Sequence, residues 1–185
     1  FFGGLYRAVQ FIEVAPAHFD LLKCGTSGVF VTPRASGGVR IDAFPVGAAG
    51  CTVKAVLADA EGRTVAEAEA PAESHTVLNL KVENPHLWNG RPDPYLYTAR
   101  LSLVADGAEQ DAVTETFGFR SFHVDPERGF FLNGKSYPLH GVSRHQDRLD
   151  MGWALTPKEH EEDMALIEVV GANTIRLAHY QHDAY

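Results

Sequence analysis

The sequence predicts a mostly β protein: an immunoglobulin-like β-sandwich followed by the first βαβ unit of a (β/α)8 TIM barrel. Three observations carry this. Between residues 26 and 120, short alternating apolar runs are broken by turn signals roughly every ten residues, the spacing of an antiparallel sandwich. No helical periodicity interrupts that half. After Arg120 the pattern changes to strand, capped helix and strand with short links, which makes the two strands parallel with a right-handed crossover.

The elements follow in order. Residues 1–25 read as the C-terminal strand and exit of a preceding β-domain, because Leu5 to Val14 alternates behind the Gly3-Gly4 turn and Pro16 ends the run. Phe1 rather than Met opens the chain, so an internal fragment is expected. Residues 26–120 form the sandwich. Its runs are Val29 to Thr32, Gly38 to Phe44, Cys51 to Leu57, Arg63 to Ala70, Thr76 to Val82, Tyr95 to Val104 and Val113 to Phe119. Asp59 to Gly62 and Asp106-Gly107 supply hairpin turns. The proline-rich crossing from Asn84 to Trp88 and Pro94 to Tyr97 is expected to be a packed connection with Trp88 plugging one end. A sugar-stacking platform is the rival reading.

Residues 121–185 begin the barrel. Phe122 to Asp125 and Gly129 to Leu132 form a hairpin, and Asn133-Gly134 is the next turn. Tyr137 to Val142 is a strand. Thr156 at N-cap, Pro157 at N1 and Glu159 at N3 make a capping box, and Met164, Ile167 and Val170 give the helix an apolar face. Gly171 ends it, and Asn173 to Ala178 is the second strand. A complete barrel needs about 250 residues, so the 185-residue chain holds only its start. A dinucleotide fold fits less well, since Gly141 and Gly152 are isolated and the link from Ser143 to Leu155 is long.

Bulk properties exclude some partners. The chain has 16 basic and 24 acidic residues, a net charge of −8 with His neutral, and no basic run, so nucleic acid is not expected. No stretch approaches the ~20 apolar residues of a membrane span. Cys24 and Cys51 are expected to be buried thiols rather than a bridge or metal ligands.

Parallel neighbouring strands place their carboxyl ends on one side of a sheet, where α/β folds bind ligands. The first strand ends in Ser143, Arg144, His145, Gln146 and Asp147, and the second in His179, Tyr180, Gln181 and His182. Arg144, His145 and His179 are therefore expected to face one cleft. Arg176 should point with Thr174 and Ala178 into the barrel, where an unpaired charge is costly and asks for a carboxylate.

Two runs then resemble a known family. Gly141-Val-Ser-Arg-His145-Gln-Asp147 and Gly171-Ala-Asn-Thr-Ile-Arg176-Leu-Ala-His179-Tyr180 are similar to motifs of the glycoside hydrolases of family 2, closest to its bacterial β-galactosidases. Ser143 and Gln146 depart from the commoner G-V-N-R-H-E, and Gln181 stands where the second motif usually has Pro. Gly3 to Arg7 resembles the end of the family's N-terminal jelly roll. Pro85 to Trp88, Pro94 to Tyr97 and Phe117 to Arg120 resemble its second domain.

The resemblance implies retaining hydrolysis of terminal β-D-galactosides by two carboxylic acids about 5–5.5 Å apart. In the family both are Glu on later barrel strands, so no catalytic residue is expected in this chain, which alone should be inactive. The resemblance makes His145, His179 and Arg144 substrate-binding and gives Arg176 the role of positioning the nucleophile. It implies no metal or cofactor here and leaves room for Mg²⁺ in the complete enzyme. A β-galactoside is the expected partner, with a homo-oligomer admitted and no nucleic acid or membrane. Cytoplasm is the expected compartment for a bacterial enzyme. A β-glucuronidase of the same family and a non-catalytic sugar-binding or spacer sandwich are the alternatives.

Overall fold

The alternating runs of the first half pair as two antiparallel sheets. A computed structural model describes residues 4–183. β1 (His18–Phe19) pairs with β4 (Pro45–Val46) as a short antiparallel rung. β2 (Val29–Pro33), β3 (Gly38–Ala43) and β7 (Thr76–Lys81) form one sheet in the order β2-β3-β7. β5 (Thr52–Ala58), β6 (Thr64–Pro71), β8 (Tyr97–Ala105) and β9 (Ala108–Phe117) form the other, in the order β6-β5-β8-β9. Period-2 patterning puts Val39, Ile41 and Ala43 of β3 on the inner face with Val53, Ala55 and Leu57 of β5 and Ala99, Leu101 and Leu103 of β8, and all nine are buried. Each large side chain there contributes roughly 2 kcal/mol by leaving water.

The turns follow their residues. Asp106 and Gly107 both take positive φ, 50° and 77°, which a two-residue hairpin needs for its twist to match the strands. Gly118 is required by close approach, since a Cβ there would stand 2.9 Å from Cβ of Trp88. Trp88 is half-buried, its N–H bonded to the Phe119 carbonyl at 2.9 Å. Arg120 lies 4.9 Å over its ring, and Tyr95 stacks on His86 at 4.1 Å. Part of each aromatic surface is thus covered by a neighbour within the crossing.

Two expectations fail in this region. Residues 5–14 form no strand, and Leu5, Val9 and Phe11 are exposed. An alternating segment becomes a strand only where another strand satisfies its N–H and C=O groups, and none pairs with it among the described residues. Cys51 is a buried free thiol as expected, but Cys24 is exposed, held in a turn with φ of 55°.

Beyond the sandwich, β10 (Phe122–Asp125), β11 (Gly129–Leu132) and β12 (Lys135–Ser136) form a three-stranded sheet. The Asn133-Gly134 turn again has positive φ at both residues. β13 (Gly141–Arg144), α1 (Pro157–Val169) and β14 (Thr174–Leu177) follow, with β13 and β14 parallel. The chain divides into two units. One is Glu13–Asp125 with Phe131–Lys135, and the other gathers the chain up to Ile12, Pro126–Phe130 and the chain from Ser136. Among the described residues no helix is long and apolar enough to cross a membrane.

Candidate functional site

The βαβ unit starts later than its apolar residues suggest. Pro138 has no N–H to give a ladder, and Asn173 occupies this point instead. Its side chain accepts from the His140 N–H at 2.8 Å and donates to the Pro138 carbonyl at 2.9 Å, and its own N–H bonds the His140 carbonyl at 2.9 Å. Asn173 thereby fixes the register in which Gly141 faces Thr174, Val142 Ile175, Ser143 Arg176, and Arg144 Leu177. The helix between them begins as its sequence directs. The Glu159 carboxylate accepts from the Thr156 N–H at 2.7 Å and from the Thr156 hydroxyl, which holds its pKa below the usual range despite partial burial.

Alternation then separates the two faces of the strand pair. Val142, Arg144, Ile175 and Leu177 share one face. Arg144, Ile175 and Leu177 line a hollow of about 700 Å³ together with His160 and Met164 of α1, so this is the helix face. Ser143 and Arg176 lie on the opposite face, which in a barrel is the interior.

Arg144 therefore departs from its expected place. It is buried, and its Nε and Nη2 donate to Asp163 Oδ2 at 2.9 and 2.6 Å while Nη2 also donates to His160 Nδ1 at 2.9 Å. Its charge is spent on α1 rather than offered to a cleft with the histidines. Position in the strand is the cause: Arg144 is one residue out of phase with Ser143 and Arg176.

His145 and His179 do meet. Their rings lie 5.2 Å apart at the centroids and are tilted by 56°, and both residues are exposed. Arg176 Nη2 donates to His179 Nδ1 at 3.2 Å, which makes that nitrogen the acceptor of the pair. Arg176 thus falls beside His179 on the inner face, exposed. The three side chains make a polar edge with ring donors and acceptors within one span of a sugar, next to a fixed cation.

The segments that carry them are stapled. Gln146 is fully buried, and its Oε1 accepts from the Asp183 N–H at 2.7 Å. His182 is buried and its Nε2 donates to the Ala178 carbonyl at 3.0 Å. Arg7 Nη2 donates to the Gln181 carbonyl at 2.7 Å, and Tyr6 packs edge-on against Trp153, which lies 4.5 Å from Tyr180. On the α1 side, Arg148 donates to Glu162 at 2.6 Å and to Asp163 Oδ1 at 2.8 Å. Burial raises the Asp163 pKa, but the hydrogen bonds from Arg148 and Arg144 outweigh it and hold the carboxyl below its usual range.

Three carboxylates of this unit already have cationic or backbone partners. Asp163 serves two arginines, Glu162 serves Arg148 and Glu159 caps the helix. Among the described residues no three His, Cys, Asp or Glu converge on a metal position.

Comparison with known proteins decides the family. Residues 31–120 match the sequence profile of the glycosyl hydrolases of family 2, and residues 124–184 match that family's TIM barrel domain. The chain belongs to glycosyl hydrolase family 2. Within the family it is 54% identical over 108 residues to a β-glucuronidase of Bacteroides fragilis, a stretch of 58% of this chain and 16% of that protein. It is 36% identical over 100 residues to a β-galactosidase of Bacteroides ovatus, covering 54% of this chain and 12% of the relative. The crystal structure of an FMN-binding β-glucuronidase from Facaelibacterium prausnitzii L2-6 superposes with a TM-score of 0.85 at 40% identity, over 92% of this chain and 27% of that one. The chain thus spans about a sixth or less of the curated family members it matches.

Sequence reasoning gave Asp163 and His160 no role, set Gln146 at the polar strand end although it is fully buried, and read Asn173 only as the start of a strand. One signal was present for the first two. His160, Asp163 and Ile167 recur at helical spacing, so they share the stripe nearest the strands. A buried Arg at a strand end needs such an acid on the covering helix.

Proposed function

We propose that this chain is the middle of a retaining glycosidase that removes terminal β-D-galactosyl groups, spanning the exit of a jelly-roll domain over residues 1–25, a sandwich and the opening of a catalytic barrel. The observation that carries it is the His145 and His179 ring pair beside Arg176 at the carboxyl ends of two parallel strands. Imidazole rings, which offer both a hydrogen-bond donor and an acceptor, suit sugar hydroxyls, and a guanidinium on the inner face suits a carboxylate nucleophile. On this reading His145 and His179 hold hydroxyls, Arg176 orients the nucleophile, and both acidic groups that break the bond come from later strands. The 185-residue chain alone then turns over no aryl β-galactoside. Measurable hydrolysis by it would overturn that part.

A second reading is supported by the 54% identity to a β-glucuronidase. A glucuronide carries a carboxylate, so its recognition calls for an additional basic group in the pocket. Turnover of matched aryl β-galactosides and β-glucuronides by the complete enzyme decides between the two. A preference for the glucuronide of tenfold or more in kcat/KM replaces the first reading with the second.

A further inference from the structure

The segment that carries His145 is pinned from both sides by one carboxylate. Arg144, immediately before His145, gives Asp163 Oδ2 two hydrogen bonds at 2.9 and 2.6 Å. Arg148, three residues after it, gives Oδ1 of the same group a bond of 2.8 Å. The two oxygens of Asp163 therefore hold the two ends of a five-residue bridge whose middle bears the exposed ring. Other contacts lock Arg148 in place, since its Nη2 also donates to the Glu159 carbonyl at 3.1 Å and its Nη1 to Glu162 at 2.6 Å. His145 itself is exposed, and its ring meets that of His179. A ring so placed keeps one orientation only if its backbone is held, because it has little packing of its own.

We propose that Asp163 is a positioning residue that sets the His145 ring against His179 by clamping Arg144 and Arg148 at once. It touches no substrate and acts from the far side of the strand. The proposal rests on the reading of His145 as a sugar contact for its effect on catalysis, though not for its effect on the ring. Asp163 is suited to the task because it sits about two turns along the helix from the capped N-terminus, within hydrogen-bonded helix on both sides, and because the hydrogen bonds from Arg148 and Arg144 hold its carboxyl below the usual range. A bidentate acceptor fixes direction as well as distance.

The test is nuclear magnetic resonance of the imidazoles in this chain with Asp163→Asn. The expected result is loss of the cross-relaxation between the His145 and His179 rings and movement of the His145 ring signals, with the signals of the sandwich histidine His75 unchanged. Asp163→Glu, which keeps the charge and both oxygens, should restore the ring contact in part. If Asp163→Asn does not fold, Arg148→Gln carries the test, since it leaves the buried Arg144 and Asp163 pair intact and frees one end of the bridge. An unchanged ring contact in the folded variant overturns the proposal. In the complete enzyme the released ring should lower kcat/KM roughly 10- to 100-fold, the usual scale for small misplacement of a site group. A lost ring contact with unchanged kcat/KM supports the clamp and overturns instead the reading of His145 as a substrate contact.

Discussion

Ser143 and Arg176 face each other across the parallel β13 and β14 ladder, one residue out of phase with Arg144 and Leu177. That single register assigns each residue of the two strands to the helix side or the inner side. Arg176 can reach His179, while Arg144 can only turn toward α1.

Arg144→Met should therefore act on stability before it acts on a ligand. Removing one member of a buried pair strands the other, which costs about 3–5 kcal/mol when nothing compensates. Asp163 retains Arg148, so about 2 kcal/mol is expected. Hydrogen exchange of the β13 and α1 amides under native conditions reads this locally. A variant with unchanged protection and weakened substrate affinity in the complete enzyme would return Arg144 to the rim.

Much of this was legible in the sequence because it depends on local rules. Turn residues such as Asp106-Gly107 and period-2 alternation fix the strands of the sandwich, and Thr156, Pro157 and Glu159 fix the start of α1. What was not legible depended on contacts distant in sequence. Leu5 to Val14 alternates as a strand does, yet alternation records only what a segment could bury and not whether a partner is at hand. Arg144 and Ser143 looked alike as polar residues at a strand end. Only the register set by Asn173 separates them. The pairing of His145 with His179 was anticipated because parallel strands bring their carboxyl ends together whatever the side chains are.

Gly118→Ala tests the packed crossing. The new methyl would stand 2.9 Å from Trp88 Cβ and near the Tyr95 carbonyl, and backbone there cannot yield cheaply. Overpacking of this kind costs about 1–3 kcal/mol, so the urea midpoint of the sandwich should fall with no change in m-value. An unchanged midpoint would show that the crossing is loose. That result would revive the idea of a ligand platform at Trp88.

The acid limb of stability should report Asp42. The Arg40 guanidinium, bonded through two nitrogens at 2.8 and 2.7 Å, is the main cause that lowers its pKa from 3.8 to about 2. Partial burial opposes this and a bond to His75 assists it. A carboxyl depressed in the folded state stabilises the protein above its unfolded pKa, and that contribution is lost as pH falls through the folded value. The loss should occur between about pH 4 and pH 2. Arg40 is half exposed, so water screens the pair and about 1 kcal/mol is expected. Asp42→Asn should flatten the stability curve in that window. A wild-type curve already flat there would mean that the pair contributes nothing to folding.

His179→Ala in the complete enzyme separates a substrate contact from a structural one. His179 is exposed and meets Arg176, itself exposed, and the His145 ring, so its loss opens no buried cavity and leaves no buried charge. The fold should survive, with circular dichroism and the unfolding midpoint unchanged. One lost hydrogen bond to a sugar hydroxyl is worth about 1–3 kcal/mol when the hydroxyl is left unpaired, so kcat/KM should fall roughly 10- to 100-fold. If the bond is made equally in the ground and transition states, the loss appears in KM. If it strengthens as the ring of the sugar flattens, it appears in kcat. An unchanged kcat/KM would remove His179 from the site and leave Arg176 as the inner-face group to explain.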